Sequence, residues 1–231
     1  MTTRSAQNTL AIMIWSLMAL VATEQAMAQV AQPCQPASQR VGDQTGCWIF
    51  AHEALGQLPQ TPLFWHLITY ATRAEAEAAK GPRGTVIDAL GKIWLSTIAE
   101  PGWRSPGGVR VAEIGPLPGI SNEPYTAVYM ESGNAPGISS NVHLHDGPEV
   151  FYTLVGELCL ETPDGMKTGH AGESTIAAPG VPMKLTTVGT ERRRSLALIL
   201  HETAKPFATP VSDWTPKGLC KPQKAEETPE G

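Results

Sequence analysis

The sequence has little charge of either sign and no long apolar run beyond its first 30 residues. Net charge is −5 over 231 residues, and no basic cluster is large enough to hold a nucleic-acid backbone. After Ala28 no stretch has the length and apolarity of a membrane-spanning helix. Internal repeats are absent too, which excludes solenoids and propellers. Cysteine is scarce, at four residues, but the number is even: Cys34, Cys47, Cys159 and Cys220. In an oxidising compartment such a set predicts disulfides, for which three connectivities exist. The pairing expected here joins Cys34 to Cys47 and Cys159 to Cys220; the alternative for Cys159 is a buried thiol in a strand.

Turn-forming residues, by contrast, are abundant. Twenty prolines and 22 glycines fall mostly between apolar runs, the pattern of many short strands joined by turns. At the start, Arg4, the apolar stretch Leu10–Ala22 and Ala26-Met27-Ala28 read together as a secretory signal peptide, residues 1–28. The alternative is a retained anchor. Cleavage after Ala28 would leave a periplasmic or secreted chain with no membrane association. Residues 29–110 read as an N-terminal extension. It holds the apolar strand Leu63–Tyr70, a short helix Arg73–Lys80 capped by Thr72, and strands Val86–Asp88 and Lys92–Ile98. It either adds strands to the main sheets or forms a small α+β cap. Residues 111–207 form the main body and 208–231 a tail whose end, from Lys221, has a disordered composition.

The chemistry concentrates between Gly137 and Gly156. His143 and His145 are two apart, so a strand points both imidazoles to one face. Asp146-Gly147-Pro148 is a turn, and Glu149 opens a second strand through Val155. Two imidazoles and one carboxylate on adjoining strands can converge on a divalent metal such as iron, manganese, zinc or nickel. An H-x-H pair by itself is more often two half-exposed strand histidines.

The full spacing, G-x5-H-x-H-x3-E-x6-G, resembles the first signature of the cupin superfamily at every position. After fifteen intervening residues, Gly172 opens GESTIAAPGVPMKLTT, similar to the family's second signature, G-x5-P-x-G-x2-H-x3-N. Gly172 and Gly180 match, while Ala178, Met183 and Thr187 replace the Pro, the fourth ligand His and the Asn. The phrases FWHL, GPEVFYTLVGE, CLETPDG, GVPM and WTPKGLC further resemble a group of secreted, single-cupin bacterial proteins. The resemblance implies a mainly β fold, a cupin-type double-stranded β-helix (jelly-roll) barrel, with the α+β segment as an N-terminal extension. It also implies a divalent metal on His143, His145 and Glu149, and often dimerisation.

Other residues enter by position. Tyr125, Ala127, Tyr129 and Glu131 share one face of a strand; facing inward, Tyr129 and Glu131 would be catalytic proton donor or acceptor. Facing outward, they would leave Val128 and Met130 as core. Phe151, Met183 and His201 are expected at the pocket. His52 and His66 read as hydrogen-bonded core residues and His170 as exposed. Arg192-Arg193-Arg194 suits an anionic ligand, but such a run is more often a solvated hairpin end. A purely structural or interaction protein would not explain why all three ligands of the first signature are present, which leaves two functions. One is a metal-dependent enzyme on a small oxygenated molecule, of dioxygenase, decarboxylase, isomerase or lyase type. The other is a secreted module binding a sugar or small ligand without catalysis.

Overall fold

A computed structural model describes residues 30–223; the expected signal peptide and the end of the tail lie outside them. Three β-layers stack on one another. The central layer is a six-stranded sheet in the order β1 (Gln35–Pro36), β2 (Gly46–Gln57), β7 (Pro124–Asn134), β14 (Arg193–Glu202), β9 (Glu149–Val155) and β12 (Ser174–Ala177). On one side lie β3 (Phe64–Tyr70), β4 (Gly84–Ala89), β5 (Lys92–Ala99) and β6 (Val109–Ile114), paired in the order β4-β5-β3-β6. On the other lie β10 (Glu157–Thr162), β11 (Gly165–Gly169) and β13 (Lys184–Val188), with the short pair β8 (His143–Leu144) and β15 (Thr209–Pro210).

The strand period of two explains how one sheet serves two cores. Along β7 and β14, Tyr125, Ala127, Tyr129, Leu196, Leu198 and Leu200 face the four-stranded sheet. There they pack on Trp65, Leu67, Trp94 and Ile98. The alternate residues, Val128, Met130, Ala197 and Ile199, face the opposite way. They meet Phe151, Leu158, Leu160 and Leu185 inside the barrel. The fold is thus mainly β, a double-stranded β-helix barrel carrying an α+β extension.

The segment 29–110 contributes to both sheets. Its long strand β2 pairs antiparallel with β7 in the barrel layer, while β3 to β5 build the outer sheet. The helix α1 (Arg73–Ala79) begins as the sequence suggests. Thr72 accepts from the Glu75 amide and the Glu75 side chain accepts from the Thr72 amide, a reciprocal cap. Two disulfides join Cys34 to Cys47 and Cys159 to Cys220, as expected, and fit an oxidising compartment. Between β10 and β12 the polar segment 162–172 contains β11, paired antiparallel along β10. Among the described residues no helix is long and apolar enough to cross a membrane.

Candidate metal centre

The site is built where the two signature segments pair. His143 and Met183 exchange backbone hydrogen bonds, Met183 N to His143 O at 2.8 Å and His143 N to Met183 O at 3.2 Å. The amide of Gly180 donates to the His145 carbonyl at 2.7 Å. On its other edge β8 pairs with β15, Pro210 opposite His143. The turn after His145 needs glycine at 147, because an added Cβ would overlap the Leu200 carbonyl oxygen. That turn brings the chain back into the central sheet, where Glu149 sits opposite Ile199 of β14 and Ala177 of β12.

Three side chains then converge. The potential ligand atoms of His143, His145 and Glu149 all lie within 4.8 Å of one another. Each imidazole is anchored through Nδ1 to a backbone carbonyl, His143 to Asn141 at 2.8 Å and His145 to Phe207. With Nδ1 donating, the lone pair of each ring is left on Nε2, the tautomer a metal requires. His145 Nε2 is buried, 3.2 Å from Glu149 Oε2, and has no well-directed hydrogen bond. A buried nitrogen with no partner beside a buried carboxylate fits a divalent cation with nitrogen and oxygen ligands. The anchoring carbonyls of Asn141 and Phe207 are outside any side-chain motif, so no residue type in the sequence signals them.

Electrostatics agree with that donor set. Burial disfavours the imidazolium of His145, but the Glu149 carboxylate outweighs it and raises the pKa above 6.5. Burial likewise pushes Glu149 up, and His145 reverses this, holding the carboxyl below 4.5. Without a metal, each group therefore favours the charged form of the other. A cation would take the place of the imidazolium proton.

The triad opens into a cavity of about 350 Å³ that Met130, Phe151, Leu185 and Ala197 line with apolar surface and Ser132, Asn134 and Arg193 with polar surface. Of the residues expected at the pocket, Phe151 lines it. Met183 is buried in the inner core with its backbone paired to His143, and it is not among the residues that line the cavity. His201 is buried on the inward face at the far end of β14. Its Nδ1 faces the carbonyls of Glu202 and Lys205, away from the cavity.

Tyr129 and Glu131 are not at the site. Their strand presents the opposite phase, so Met130 and Ser132 face the cavity. Tyr129 is enclosed in the outer core near Thr85 and Ser96, where burial pushes its phenol up to about 12. Glu131 is buried toward the end of β7, accepting from Arg40 at 2.7 Å and Arg194 at 3.1 Å. Both are structural here. His66 lies in the outer sheet with Nε2 at the Glu100 carbonyl, and His170 is exposed.

The arginine run divides three ways. Arg192 reaches Asp43 at the surface and Arg194 joins Glu131. Arg193 turns inward and is 1 % exposed. Reading the run as a solvated hairpin end fails for this one residue, which alternation along Ser195, Ala197 and Ile199 would have placed inside.

No family model matches the chain, and no curated protein does. Similar solved structures include a cupin-2 domain containing protein from Shewanella frigidimarina, 22% identical over 36% of this chain and 74% of that one, with a TM-score of 0.28. Another is a Cupin 2 conserved barrel domain protein from Salinispora arenicola, at 24% identity, 36% and 68% coverage and a TM-score of 0.30. Oxalate decarboxylase from Bacillus subtilis is 18% identical over 40% of this chain and 25% of its own length, with a TM-score of 0.32. The barrel's sheet order and the H-x-H-x3-E segment set between its strands are what the structure adds to the cupin resemblance drawn from the sequence.

Proposed function

We propose that the protein is a metal-dependent enzyme acting on a small oxygenated molecule in the periplasm or outside the cell. His143, His145 and Glu149 hold a divalent ion: iron, manganese, zinc or nickel. The observation that carries this reading is the double anchoring of the imidazoles, which leaves the buried His145 Nε2 without a partner next to Glu149. When bound, such an ion supplies Lewis acidity or activates oxygen. The protein's own part is to fix both imidazole planes through Asn141 and Phe207 and to hold Glu149 ionised. Met130, Phe151 and Leu185 give the cavity an apolar wall, which strengthens charge interactions beside it.

A second reading, a binding module without catalysis, is favoured by Met183. It places an apolar thioether where the resembling signature has a fourth imidazole, and sulfur of that kind is a poor partner for these ions. The test begins with elemental analysis of exported protein beside His145→Ala and Glu149→Gln. One ion per wild-type chain and loss in both folded variants is expected; metal-free wild type that takes up no ion on dialysis would overturn the reading. Screening the loaded protein for oxygen uptake and carbon dioxide release over diols and keto acids then separates the two. Stoichiometric metal and ligand binding without turnover would favour the module.

A further inference from the structure

Arg193 is a fully buried cation whose hydrogen bonds all go to neutral groups. Its Nη2 donates to Ser132 Oγ at 2.7 Å, Nη1 to Ser195 Oγ at 3.0 Å and Nε to Thr187 Oγ1 at 3.3 Å. Among the described residues no carboxylate lies within ion-pair distance of it, whereas its neighbour Arg194 has two. Three of the five guanidinium N–H groups are used, and two remain. Removing an unpaired guanidinium from water is costly, and hydroxyl groups return only part of the lost solvation. This residue also lines the same cavity as the metal triad.

The register sets the distance between the two ends. The hydroxyls that hold the guanidinium belong to the row Ser195–Ser132, and Glu149 belongs to the row of Ile199. Four residues of antiparallel strand separate these rows, roughly 13–14 Å. Between them lies the row of Met130, Ala197 and Phe151, which is apolar. Allowing for a hydrogen bond at one end and the ligand side chains at the other, a bound molecule must bridge roughly 6–9 Å. Charge points the same way. Glu149 and Arg193 cancel, so a divalent ion on the triad would leave the cavity with two uncompensated positive charges.

We propose that the cavity binds a small organic acid with its carboxylate on Arg193, an apolar spacer across Met130, Phe151 and Ala197, and an oxygen function at the His143–His145–Glu149 end. The oxygen end rests on the metal reading above; the carboxylate end does not. Ser132, Ser195 and Thr187 orient the guanidinium, and Arg193 serves as the binding residue for the acid group.

The experiment uses hexanoate, hexanamide and 1-hexanol as probes, titrated calorimetrically into chelator-treated full-length protein. One charge-assisted contact with a buried guanidinium should make hexanoate bind at least ~10-fold tighter than either neutral probe. Arg193→Gln should abolish that preference. Ser132→Asp should do the same while keeping the buried guanidinium paired, so that a failure of Arg193→Gln to fold does not block the test. In metal-loaded protein 6-hydroxyhexanoate should gain over hexanoate, and in chelated protein it should not. Equal binding of hexanoate and hexanamide, or a preference that survives in Ser132→Asp, overturns the proposal. Carboxylate preference in a protein that takes up no metal supports the Arg193 end and sinks the metal reading alone.

Discussion

Replacing Met183 by histidine asks whether the second signature segment faces the triad. Met183 is 1 % exposed among Val128, Met130, Phe151 and Leu185, and its backbone pairs directly with His143. Losing the buried thioether side chain costs about 1.5–3 kcal/mol, and an imidazole nitrogen without a partner there costs about 1–3 kcal/mol more. The metal-free variant should therefore be destabilised by roughly 2.5–6 kcal/mol. At about 2–4 °C per kcal/mol for a chain of this size, its melting temperature falls by roughly 5–24 °C. Zinc should return more to the variant than to the wild type, because cross-strand neighbours project to the same side and the new imidazole joins the donor set. Each tenfold gain in affinity adds about 1.4 kcal/mol to the stabilisation at saturating metal, or about 3–5 °C. The assay is thermal unfolding of chelated and zinc-loaded samples of both proteins, with a competing chelator to give the affinities. If the variant is destabilised but gains no more from zinc than the wild type, Met183 does not face the triad and the alignment of the second signature is wrong.

In chelated protein the His145–Glu149 pair sets a pH window. The raised His145 pKa contributes stability that is complete below 6.5 and is lost as pH rises through the raised value. The lowered Glu149 pKa contributes above 4.5 and is lost as pH falls through the depressed value. Urea midpoints should peak between these values and flatten in His145→Ala; a maximum well above pH 7 in both would contradict the ion pair. Glu131→Gln weakens the bonds to Arg40 and Arg194 and should cost about 1–3 kcal/mol. It should leave metal content unchanged, since Glu131 is outside the cavity, and loss of metal by elemental analysis would restore it to the site. Glu161→Ala frees the amides of Lys217 and Leu219, which its buried carboxylate accepts. Proteolysis and amide exchange should then accelerate between Lys205 and Leu219 while the disulfide still holds Cys220. Unchanged protection would mean that the disulfide alone fixes the tail.

Much of the fold was legible because the relevant signals are local. Thr72 and Glu75 announce a helix start by their own chemistry, and the turn Asp146-Gly147-Pro148 is written in residues that favour it. The strand Gly46–Gln57 was missed for the opposite reason. Its residues alternate weakly, GCWIFAHEALGQ, and it lies beside the two-residue strand β1 near the sheet's edge, with much of its length half-buried or exposed. Only pairing with β7, more than 60 residues away, makes it a strand.

The phase of β7 shows where alternation stops being informative. It establishes that Tyr129 and Glu131 share a face and that Met130 and Ser132 share the other. Choosing the inner face needs one side to be polar, as in a sheet with a solvated surface. Here both faces are covered, by the barrel core on one side and the four-stranded sheet on the other, so both carry apolar residues. Both phases of this strand stayed open in the sequence, Glu131 being catalytic only if its own face were the inner one. Glu131 is instead neutralised by Arg40 and Arg194 toward the end of β7. The charge that does enter the barrel, Arg193, was hidden between two arginines of ordinary surface character. What distinguishes it is its position two residues before Ser195 on the inward row of β14. A charged residue in phase with that row has no solvent to reach; its hydrogen bonds go to three hydroxyls, and Glu149 acts on it only from beyond ion-pair distance. The unmatched charge is therefore better evidence of a ligand than the richer cluster around Glu131, where each charge already has its partner.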